Sequence, residues 1–457
     1  MTIDKHFQLT VSQCKSARES RDTRFDGMFY VAVKTTGIFC RPICPAVTAK
    51  EVNVEYFHSQ AQSLLAGYRP CLRCRPDCAP NSWAWKGAET TFERAISLIE
   101  NGALQGNSVV ELSERLGISD RYLRSLFTKY LGMPIKQYAQ YQQLMFAKQL
   151  LHNSNLRITD IAYACGFNSV RRFNDAFQKY LQLTPTSIRK GKSVSNKNQI
   201  ILKFSVPINW QHLLNFYRLR AITGVELVGA DYYQTSFILD GAKGYFKVCL
   251  KNDRNLIVEF QLDDMSKLKL MVTKIRRMLD IDADTDSIES HIQGVLTHLD
   301  IKPGIRIPGV WDTWQAGIRA ILGQQVSVKA AIHHLNSFVL ELGMKSNTHL
   351  YFPTPKSVME SDISFLKMPQ SRKDTIKRFA NYMLNNMEGT PDEWQQIKGI
   401  GPWTISYAKL RGLSDPDCFL DTDLIVKKVM LNSSAIDIRS LSPWGSYATL
   451  HCWNSIL

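Results

Sequence analysis

Four cysteines stand in two close pairs, Cys40 and Cys44 in "GIFCRPICPA" and Cys71 and Cys74 in "YRPCLRC". A disulfide frame, a metal clamp or a reactive thiol would each explain such pairing. Short spacing within a pair lets two thiolates reach one ion, and four sulfurs suit tetrahedral zinc. The sequence therefore predicts one Zn²⁺ ion bound by these four cysteines, with Cys78 as an alternative to Cys74.

A four-sulfur zinc site is usually closed and structural, so a purely bracing role is the first interpretation. Zinc also removes the proton of a coordinating thiol, and the thiolate is the nucleophilic form of cysteine. Several thiolates on one ion accumulate negative charge and favour attack on a soft electrophile such as a methyl group. Arg41 and Arg69 flank the cysteines and could hold a phosphate backbone against them.

A second set of candidate residues lies near the carboxyl end. The stretch "WQQIKGIGPWTISYAKLRG" places Gly399 and Gly401 in a tight turn between short helices. Such a turn lets backbone N–H groups face a phosphate. Asp421 and Asp423 follow in "FLDTDLIVKKV", where either could be an ordinary helix cap.

The middle of the chain contains an internal repeat that would position these sites on DNA. Two segments, from Leu116 and from Cys165, each show a helix, a glycine turn and a second helix with one apolar face. Ser119 in the first segment, and either Asn168 or Ser169 in the second, are the predicted caps of the second helix. A basic helix behind a tight turn is typical of a helix-turn-helix, although a plain helical hairpin would look similar. The candidate DNA-binding residues on the outer faces are Arg121, Arg124, Arg171 and Arg172.

Charge and composition agree with a DNA partner. The formal net charge is +15, and residues 1–200 hold 27 Lys and Arg against 15 Asp and Glu. A basic half of this kind suggests a polyanion, most often nucleic acid. We expect no membrane segment, because no apolar run reaches 18 residues. No secretory signal is visible either, which predicts a cytoplasmic protein with reduced thiols.

The pattern of elements predicts a multidomain α+β protein with four parts. These are a small zinc-bound α/β domain (1–85), an all-α double helix-turn-helix domain (88–190), a mixed α/β subdomain (200–284) and an all-α helix-hairpin-helix domain (285–457) packed on it. The polar stretch "KGKSVSNKNQ", residues 190–199, is the predicted linker. "ILKFSVPINW" and "GYFKVCLKNDRNLIVEFQL" are expected to form strands.

Three family resemblances rest on these motifs. Residues 28–76 resemble the Ada-type methylphosphotriester-accepting domain, and the repeat, with "IKQYAQYQQLMFAKQLL" as its connector, resembles the AraC-type DNA-binding domain. Most of residues 200–457 resembles the AlkA-type 3-methyladenine DNA glycosylases of the helix-hairpin-helix superfamily. That match runs through "WDTWQAGIRAILGQQVSV", "GIGPWTISYAKLRG", "FLDTDLIVKK" and "SPWGSYATLHCW".

The resemblances imply roles for particular residues. Cys40 would take a methyl group irreversibly from a methylated DNA phosphate, and the loss of negative charge would strengthen operator binding. Asp423 would be the catalytic carboxylate of base excision. The residues that would contact the flipped, damaged base are Trp403, Tyr407, Trp453, Gln324 and Gln325.

Three features of the sequence limit or refine what the resemblances imply. No Pro-Cys-His stretch of a second methyltransferase domain is present, so repair of the methylated guanine oxygen is not predicted. Glycosylases that also cut the strand use a lysine where this chain has Trp403, which predicts a monofunctional enzyme. Gln325 replaces the apolar wedge that commonly fills the gap left by the flipped base.

The resulting hypothesis is a transcriptional regulator of an adaptive response that also excises alkylated purines. Its expected partners are double-stranded DNA, both operator and alkylated, and RNA polymerase. One alternative is a regulator whose carboxy-terminal part only binds DNA. Another is a glycosylase whose amino-terminal parts only dock on DNA.

Overall fold

The computed structural model describes residues 9–22, 25–58, 60–71, 73–74, 76, 83–100, 102–104, 108–189, 198–346, 348–386, 389–431 and 437–455. The chain divides into two compact units, Met1–Gln140 and Tyr141–Leu457. The alternative ligand Cys78 and residues 190–197 of the predicted linker lie outside the described residues. Separate helical and sheet-containing parts confirm the multidomain α+β class.

A small sheet in the first unit brings the paired cysteines together. Its elements are α1 (Val11–Glu19), β1 (Tyr30–Val33), β2 (Ile38–Cys40), β3 (Val54–Phe57), α2 (Gln60–Leu65) and β4 (Arg69–Pro70). The strand order is β3-β1-β2-β4, and β2 pairs with β4 in parallel so that Phe39 lies opposite Pro70. Because Cys40 ends β2 and Cys71 follows β4, this pairing places the two cysteines at the same end of the sheet.

The first predicted helix-turn-helix follows in the same unit. Its helices are α3 (Trp83–Glu100), α4 (Val109–Arg115) and α5 (Asp120–Leu131). The turn needs Gly117, whose φ of 68° is in the left-handed region that favours glycine. Ser119 then caps α5 by accepting the N–H of Tyr122 at 3.2 Å, which confirms the predicted cap.

The second copy repeats this geometry in the second unit. Its helices are α6 (Ile135–Asn153), which contains the predicted connector and begins in the first unit, α7 (Ile158–Ala164), α8 (Val170–Leu181) and α9 (Pro185–Ile188). Gly166 has a φ of 81°. Of the two candidate caps, Ser169 is the one that accepts a backbone N–H of α8, from Arg172 at 3.2 Å.

An antiparallel sheet follows, with strand order β5-β9-β8-β7-β6. Its elements, with two helices, are β5 (Asn198–Lys203), α10 (Trp210–Arg218), β6 (Glu226–Val228), β7 (Tyr232–Leu239), β8 (Ala242–Asn252), β9 (Asn255–Leu262) and α11 (Leu268–Met278). The strand prediction for "ILKFSVPINW" is wrong beyond Lys203. Pro207 has no N–H for a ladder, and Asn209 caps α10 by accepting the N–H of His212 at 3.1 Å.

The second helix-turn-helix and this sheet share one hydrophobic core. Buried side chains form a continuous cluster that includes Phe146 and Phe173 on the helical side and Phe246 on the sheet side. The backbone also joins them, because Asn155 donates to the carbonyl of Gln199 at 3.3 Å and its side chain accepts the N–H of Gln199 at 2.8 Å. Burial of this apolar surface holds the two parts together.

The rest of the second unit is almost entirely helical. Its elements are α12 (Thr285–Val295), α13 (Thr313–Leu322), α14 (Val328–Leu342), β10 (Met344–Lys345), β11 (Leu350–Tyr351), α15 (Pro355–Glu360), α16 (Gln370–Asn385), α17 (Pro402–Ala408), α18 (Leu424–Met430) and α19 (Gly445–Asn454). A π-helical turn, Lys409–Leu413, continues α17. No helix of the described residues is long and apolar enough to cross a membrane.

Candidate metal centre and base pocket

Four sulfur atoms cluster at the ends of β2 and β4. The Sγ atoms of Cys40, Cys44, Cys71 and Cys74 all lie within 4.8 Å of one another, in partly buried residues. Around a tetrahedral zinc ion with Zn–S bonds of about 2.3 Å, neighbouring sulfurs stand roughly 3.8 Å apart. The cluster therefore fits one zinc ion.

The pKa values of three of these thiols also favour the binding of a cation. The hydrogen bond with the Cys74 sulfur and burial both raise the pKa of Cys40, while burial raises the pKa of Cys44. Hydrogen bonding from Cys40 lowers the pKa of Cys74 to about 5. The protein alone thus supports negative charge on one sulfur, whereas a divalent cation stabilises thiolate on all of them.

The two arginines of this domain that were predicted to contact DNA occupy different settings. Arg41 forms an ion pair with Asp26, in which Nε donates to Oδ1 at 2.8 Å, and its Nη1 donates to the carbonyl of Cys74 at 3.3 Å. Arg41 therefore fixes the segment that carries Cys74. Arg69 is exposed on the edge strand β4. Phosphate contact remains a prediction for both.

A cleft among the described residues borders the sulfur cluster. A narrow cleft is lined by Cys40 and Cys44 together with Arg21, and its lining does not include Cys71 or Cys74. A group on DNA could therefore approach the cluster from the side of Cys40.

The outer faces of α5 and α8 are basic, as predicted. Arg121, Arg124, Arg171 and Arg172 are all exposed, and Arg124 pairs with Asp120 one turn away at 2.9 Å. Their inner faces are buried in hydrophobic cores. The geometry matches helices that enter a major groove, and the individual DNA contacts remain predictions.

A cavity of about 640 Å³ in the second unit gathers four of the six residues predicted for catalysis and base contact, whereas Gln324 and Gln325 are not part of its lining. Its lining includes Trp403, Tyr407, Trp453 and Asp423, which belong to three different helices or their caps. The rings of Trp403 and Tyr407 stack with centroids 5.1 Å apart and planes 23° apart. A planar base could stack against such a wall.

Asp423 is fixed through one of its two carboxylate oxygens. Its Oδ1 accepts the N–H groups of Ile425 at 3.0 Å and Val426 at 3.3 Å, as the cap of α18. The same oxygen accepts the indole N–H of Trp453 at 3.1 Å. Oδ2 accepts no hydrogen bond from a described residue, so it remains available to the cavity. Asp423 is thus both a helix cap and a pocket carboxylate.

Positive charge behind the aromatic wall acts on Tyr407. Burial alone would raise the pKa of Tyr407, but Arg411, Arg220 and Arg319 lower it below its ordinary value. Arg411 donates to the Tyr407 hydroxyl at 2.9 Å. The hydroxyl oxygen is therefore an acceptor toward the protein, and its own hydrogen can be donated elsewhere.

The glycine turn has one glycine that the fold requires and one that it does not. Gly399 has a φ of 99°, and a Cβ there would lie 2.0 Å from Oγ1 of the buried Thr375. A Cβ on Gly401 would meet nothing within 4 Å. Open space at Gly401, which caps α17, fits close approach of a phosphate, which remains a prediction.

The two glutamines between α13 and α14 differ in their contacts. Gln324 donates from Nε2 to the carbonyl of Gly399 at 3.1 Å and to Oγ1 of Thr404 at 3.2 Å, so it ties this segment to the glycine turn. Gln325 is exposed and has a φ of 54°, in the left-handed region that is uncommon for glutamine. The backbone is therefore strained at an exposed residue, and backbone strain of this kind is typical of residues that act on a ligand.

Several residues that line the cavity or pack against its lining were not predicted from the sequence. Phe216 stacks on Trp453, with centroids 6.1 Å apart, and Arg220 and Arg319 line the cavity. Phe216 and Arg220 lie about 200 residues before Asp423 and share no motif with it. Arg220 also lies two residues beyond the end of α10, so helical periodicity gave no signal for it.

The chain combines a four-cysteine domain, a double helix-turn-helix and an aromatic pocket with one carboxylate, which the glycine turn precedes in the sequence. Together these features define a DNA-binding regulator combined with a base-excision enzyme. Family models agree: "Metal binding domain of Ada" matches residues 13–77, "Helix-turn-helix domain" matches 112–191 and "AlkA N-terminal domain" matches 199–312.

Named relatives align with nearly all of the chain or with one part of it. The "Probable bifunctional transcriptional activator/DNA repair enzyme AlkA" of Mycobacterium tuberculosis is 32% identical, over 97% of this chain and 96% of its own length. "DNA-3-methyladenine glycosylase 2" of Escherichia coli is 30% identical over 55% of this chain and 95% of its length. The "Regulatory protein ada" of Salmonella typhimurium is 31% identical over 39% of this chain and 49% of its own length. The chain belongs to the family of bifunctional transcriptional activator/DNA repair enzymes of the AlkA type, which confirms the predicted resemblances.

Proposed function

We propose that this protein senses methylated DNA through Cys40, activates transcription of an adaptive response, and excises alkylated purines as a monofunctional DNA glycosylase. The observation that carries the proposal is the cavity that gathers Asp423, the cap of α18, with three aromatic residues of α17 and α19. A carboxy-terminal part that only gripped DNA would not need a carboxylate with an unengaged oxygen inside an aromatic cavity.

The sensing step is a methyl transfer to sulfur. The Cys40 thiolate attacks the methyl carbon of a DNA methylphosphotriester, the new S–C bond forms, and the C–O bond breaks. The phosphate oxygen leaves with the electron pair and restores the ordinary diester. Zinc, held by Cys40, Cys44, Cys71 and Cys74, would supply the thiolate form at neutral pH. The cleft is lined by both Cys40 and Cys44, so it supports methyl acceptance by this pair, and the resemblance to the Ada-type domain assigns the role to Cys40.

The regulatory readout follows from charge. Methylation removes one negative charge from the sulfur cluster, which reduces repulsion from DNA phosphates. The basic faces of α5 and α8 would then hold an operator more tightly. An activator acts on transcription, so we propose RNA polymerase as a protein partner and the bacterial cytosol or nucleoid as the location. The four-part division at 1–85, 88–190, 200–284 and 285–457 is part of this proposal.

The excision step needs little beyond Asp423 and the pocket. The damaged base is flipped out of the helix and stacks on the aromatic wall. As the N-glycosidic bond breaks, the base leaves with the bonding electron pair and the sugar gains oxocarbenium character, which the Asp423 carboxylate stabilises. Water then adds to the anomeric carbon and loses a proton, which leaves an abasic sugar in the intact strand. An alkylated purine that already carries positive charge leaves readily, and cation–π contact with electron-rich rings favours its binding.

The absence of lyase chemistry is supported by Trp403 at the position where strand-cutting relatives carry a lysine. The lysine that lines the cavity, Lys329, is exposed near the start of α14. We therefore expect an intact abasic strand as the product.

One incubation tests both activities of the full-length protein. Duplex DNA treated with a methylating agent is mixed with the zinc-loaded protein, and the products are analysed. The proposal expects free methylated purines, uncut abasic strands, and one methyl group on the Cys40 peptide. Protein that releases no base refutes the glycosylase assignment, and a methyl-free Cys40 refutes the sensing role.

Gln325 offers a prediction about base flipping. We expect Gln325→Ala to slow excision from duplex DNA about tenfold, because a lost gap-filling side chain and one or two lost hydrogen bonds are worth about 1–2 kcal/mol. Single-stranded DNA has no gap to fill, so its rate should stay within about twofold of the wild type. The measurement is single-turnover excision from both substrates.

The neighbouring glutamine supplies the contrast for this test. Gln324→Ala removes the tie to the glycine turn and should slow excision from both substrates alike. Equal slowing of both substrates by Gln325→Ala would show that Gln325 supports the fold and does not act as a wedge.

A further inference from the structure

Two guanidinium groups line the base cavity, and among the described residues only one of them forms an ion pair with a carboxylate. Arg319 donates to Oε2 of Glu226 at 2.7 Å, and the two side chains are 5% and 6% exposed. Arg319 also donates to the carbonyl of Arg220 at 3.1 Å. Arg319 therefore forms a structural ion pair with Glu226, and the carboxylate largely cancels the charge of the guanidinium group.

Arg220 has no such partner among the described residues. Its guanidinium carbon lies 3.8 Å from the ring centroid of Phe216, and its Nη1 donates to the carbonyl of Phe216 at 3.4 Å. No carboxylate of the described chain lies within 4.0 Å of it, and the group lines the cavity. Burial lowers the pKa of Arg220 to about 10, which still leaves it charged at neutral pH.

The charges of the cavity are arranged along an aromatic row. Arg220 lies on the ring of Phe216, Phe216 stacks with Trp453, and Trp453 donates to Asp423. The two rings therefore connect the cation to the carboxylate, and both charged groups line the same cavity. A nucleotide with its sugar carbon next to Asp423 would place its base among lining residues that include Arg220.

A fixed positive charge has two effects on such a base. Its N–H groups form strong hydrogen bonds with ring nitrogen or carbonyl acceptors of a neutral base. It also repels a base that carries a full positive charge, in a cavity where water screens little. These effects oppose the cation–π attraction of the aromatic wall and widen the range of bases that the site accepts.

We propose that Arg220 is a specificity-determining residue that recognises acceptor atoms on neutral damaged purines and limits the preference for cationic ones. The inference rests on the proposed glycosylase function and assigns to it a residue that discriminates between damaged bases. Neutral purines are poorer leaving groups than alkylated cations, so a binding contribution from Arg220 matters most for them.

Excision from two defined duplexes tests the role of Arg220 in the full chain. One duplex carries a single 7-methylguanine, which is cationic, and the other a single hypoxanthine, which is neutral and has exposed acceptors. We expect the wild type to release both. Arg220→Gln should slow hypoxanthine release at least tenfold and speed 7-methylguanine release, so the ratio of the two rates should fall more than tenfold. Arg220→Lys keeps the charge but loses the planar fork, so this ratio should also fall, through slower hypoxanthine release.

Arg218→Gln is the matched control, because Arg218 ends α10, is exposed, and donates to the carbonyl of Gly229 at 2.8 Å away from the cavity lining. It should leave the ratio of the two rates unchanged. Equal slowing of both substrates by Arg220→Gln, or wild-type release of the cationic base alone, would overturn the role of Arg220. If Arg220→Gln does not fold, an unchanged ratio in Arg220→Lys overturns it instead. Wild-type protein that releases neither base would refute the glycosylase function itself.

Discussion

Asp423→Asn should lower the rate of base excision by about a thousandfold while leaving the fold intact. Two unit charges 4 Å apart at an effective dielectric constant of 20 interact by about 4 kcal/mol, which corresponds to this factor. The asparagine keeps an oxygen for the N–H groups of Ile425, Val426 and Trp453, so the cap of α18 is preserved. The measurement is single-turnover release of a methylated purine from duplex DNA.

Asp421→Asn provides a matched comparison two residues away. Asp421 is exposed and does not line the cavity, so its substitution should change the rate less than twofold. DNA affinity, measured by titration, should stay similar for both variants, because the carboxylate acts on the developing charge of the sugar. Equal rates for Asp423→Asn and the wild type would remove Asp423 from the mechanism.

Local signals in the sequence were sufficient to predict the helix-turn-helix copies and the sulfur cluster. Gly117 and Gly166 both adopt positive φ, and Ser119 and Ser169 both cap the following helix. These features depend on a few neighbouring residues, so their meaning is independent of the rest of the fold. The cysteine spacing likewise predicted the cluster, since a single ion requires the sulfurs to converge.

Features that depend on distant contacts were not predictable in the same way. Arg220 lines the cavity from the turn that follows α10, and Phe216 packs on Trp453 from α10 itself, a helix that begins at the last residue of the segment first interpreted as strand. The shared core of Phe173 and Phe246 was also missed, because an apolar face shows that it must be buried but not against what. The charge arrangement of the cavity is therefore visible only in the folded chain.

Cys40→Ser should abolish methyl acceptance, and this loss is the largest effect expected in the amino-terminal unit. A serine hydroxyl is neither a thiolate nor a zinc-stabilised nucleophile at neutral pH, so no S-methyl product can form. We expect one methyl group per wild-type chain after incubation with methylphosphotriester DNA, mapped to Cys40 by mass spectrometry, and none in the variant. Cys249→Ser, which removes a partly buried thiol from β8, should accept methyl as the wild type does.

Operator binding gives the second readout of the same substitution. Removal of one negative charge about 10 Å from a phosphate changes the interaction by about 1.7 kcal/mol at an effective dielectric constant of 20, so methylation should tighten wild-type binding on the order of tenfold. The Cys40→Ser protein should show no such gain. Because the variant also loses a zinc ligand, peptide mapping of the wild type decides the assignment independently of its folding. A methyl group found on Cys44, Cys71 or Cys74 would transfer the nucleophilic role to that sulfur, and a bare cluster would leave the zinc site with a structural role alone.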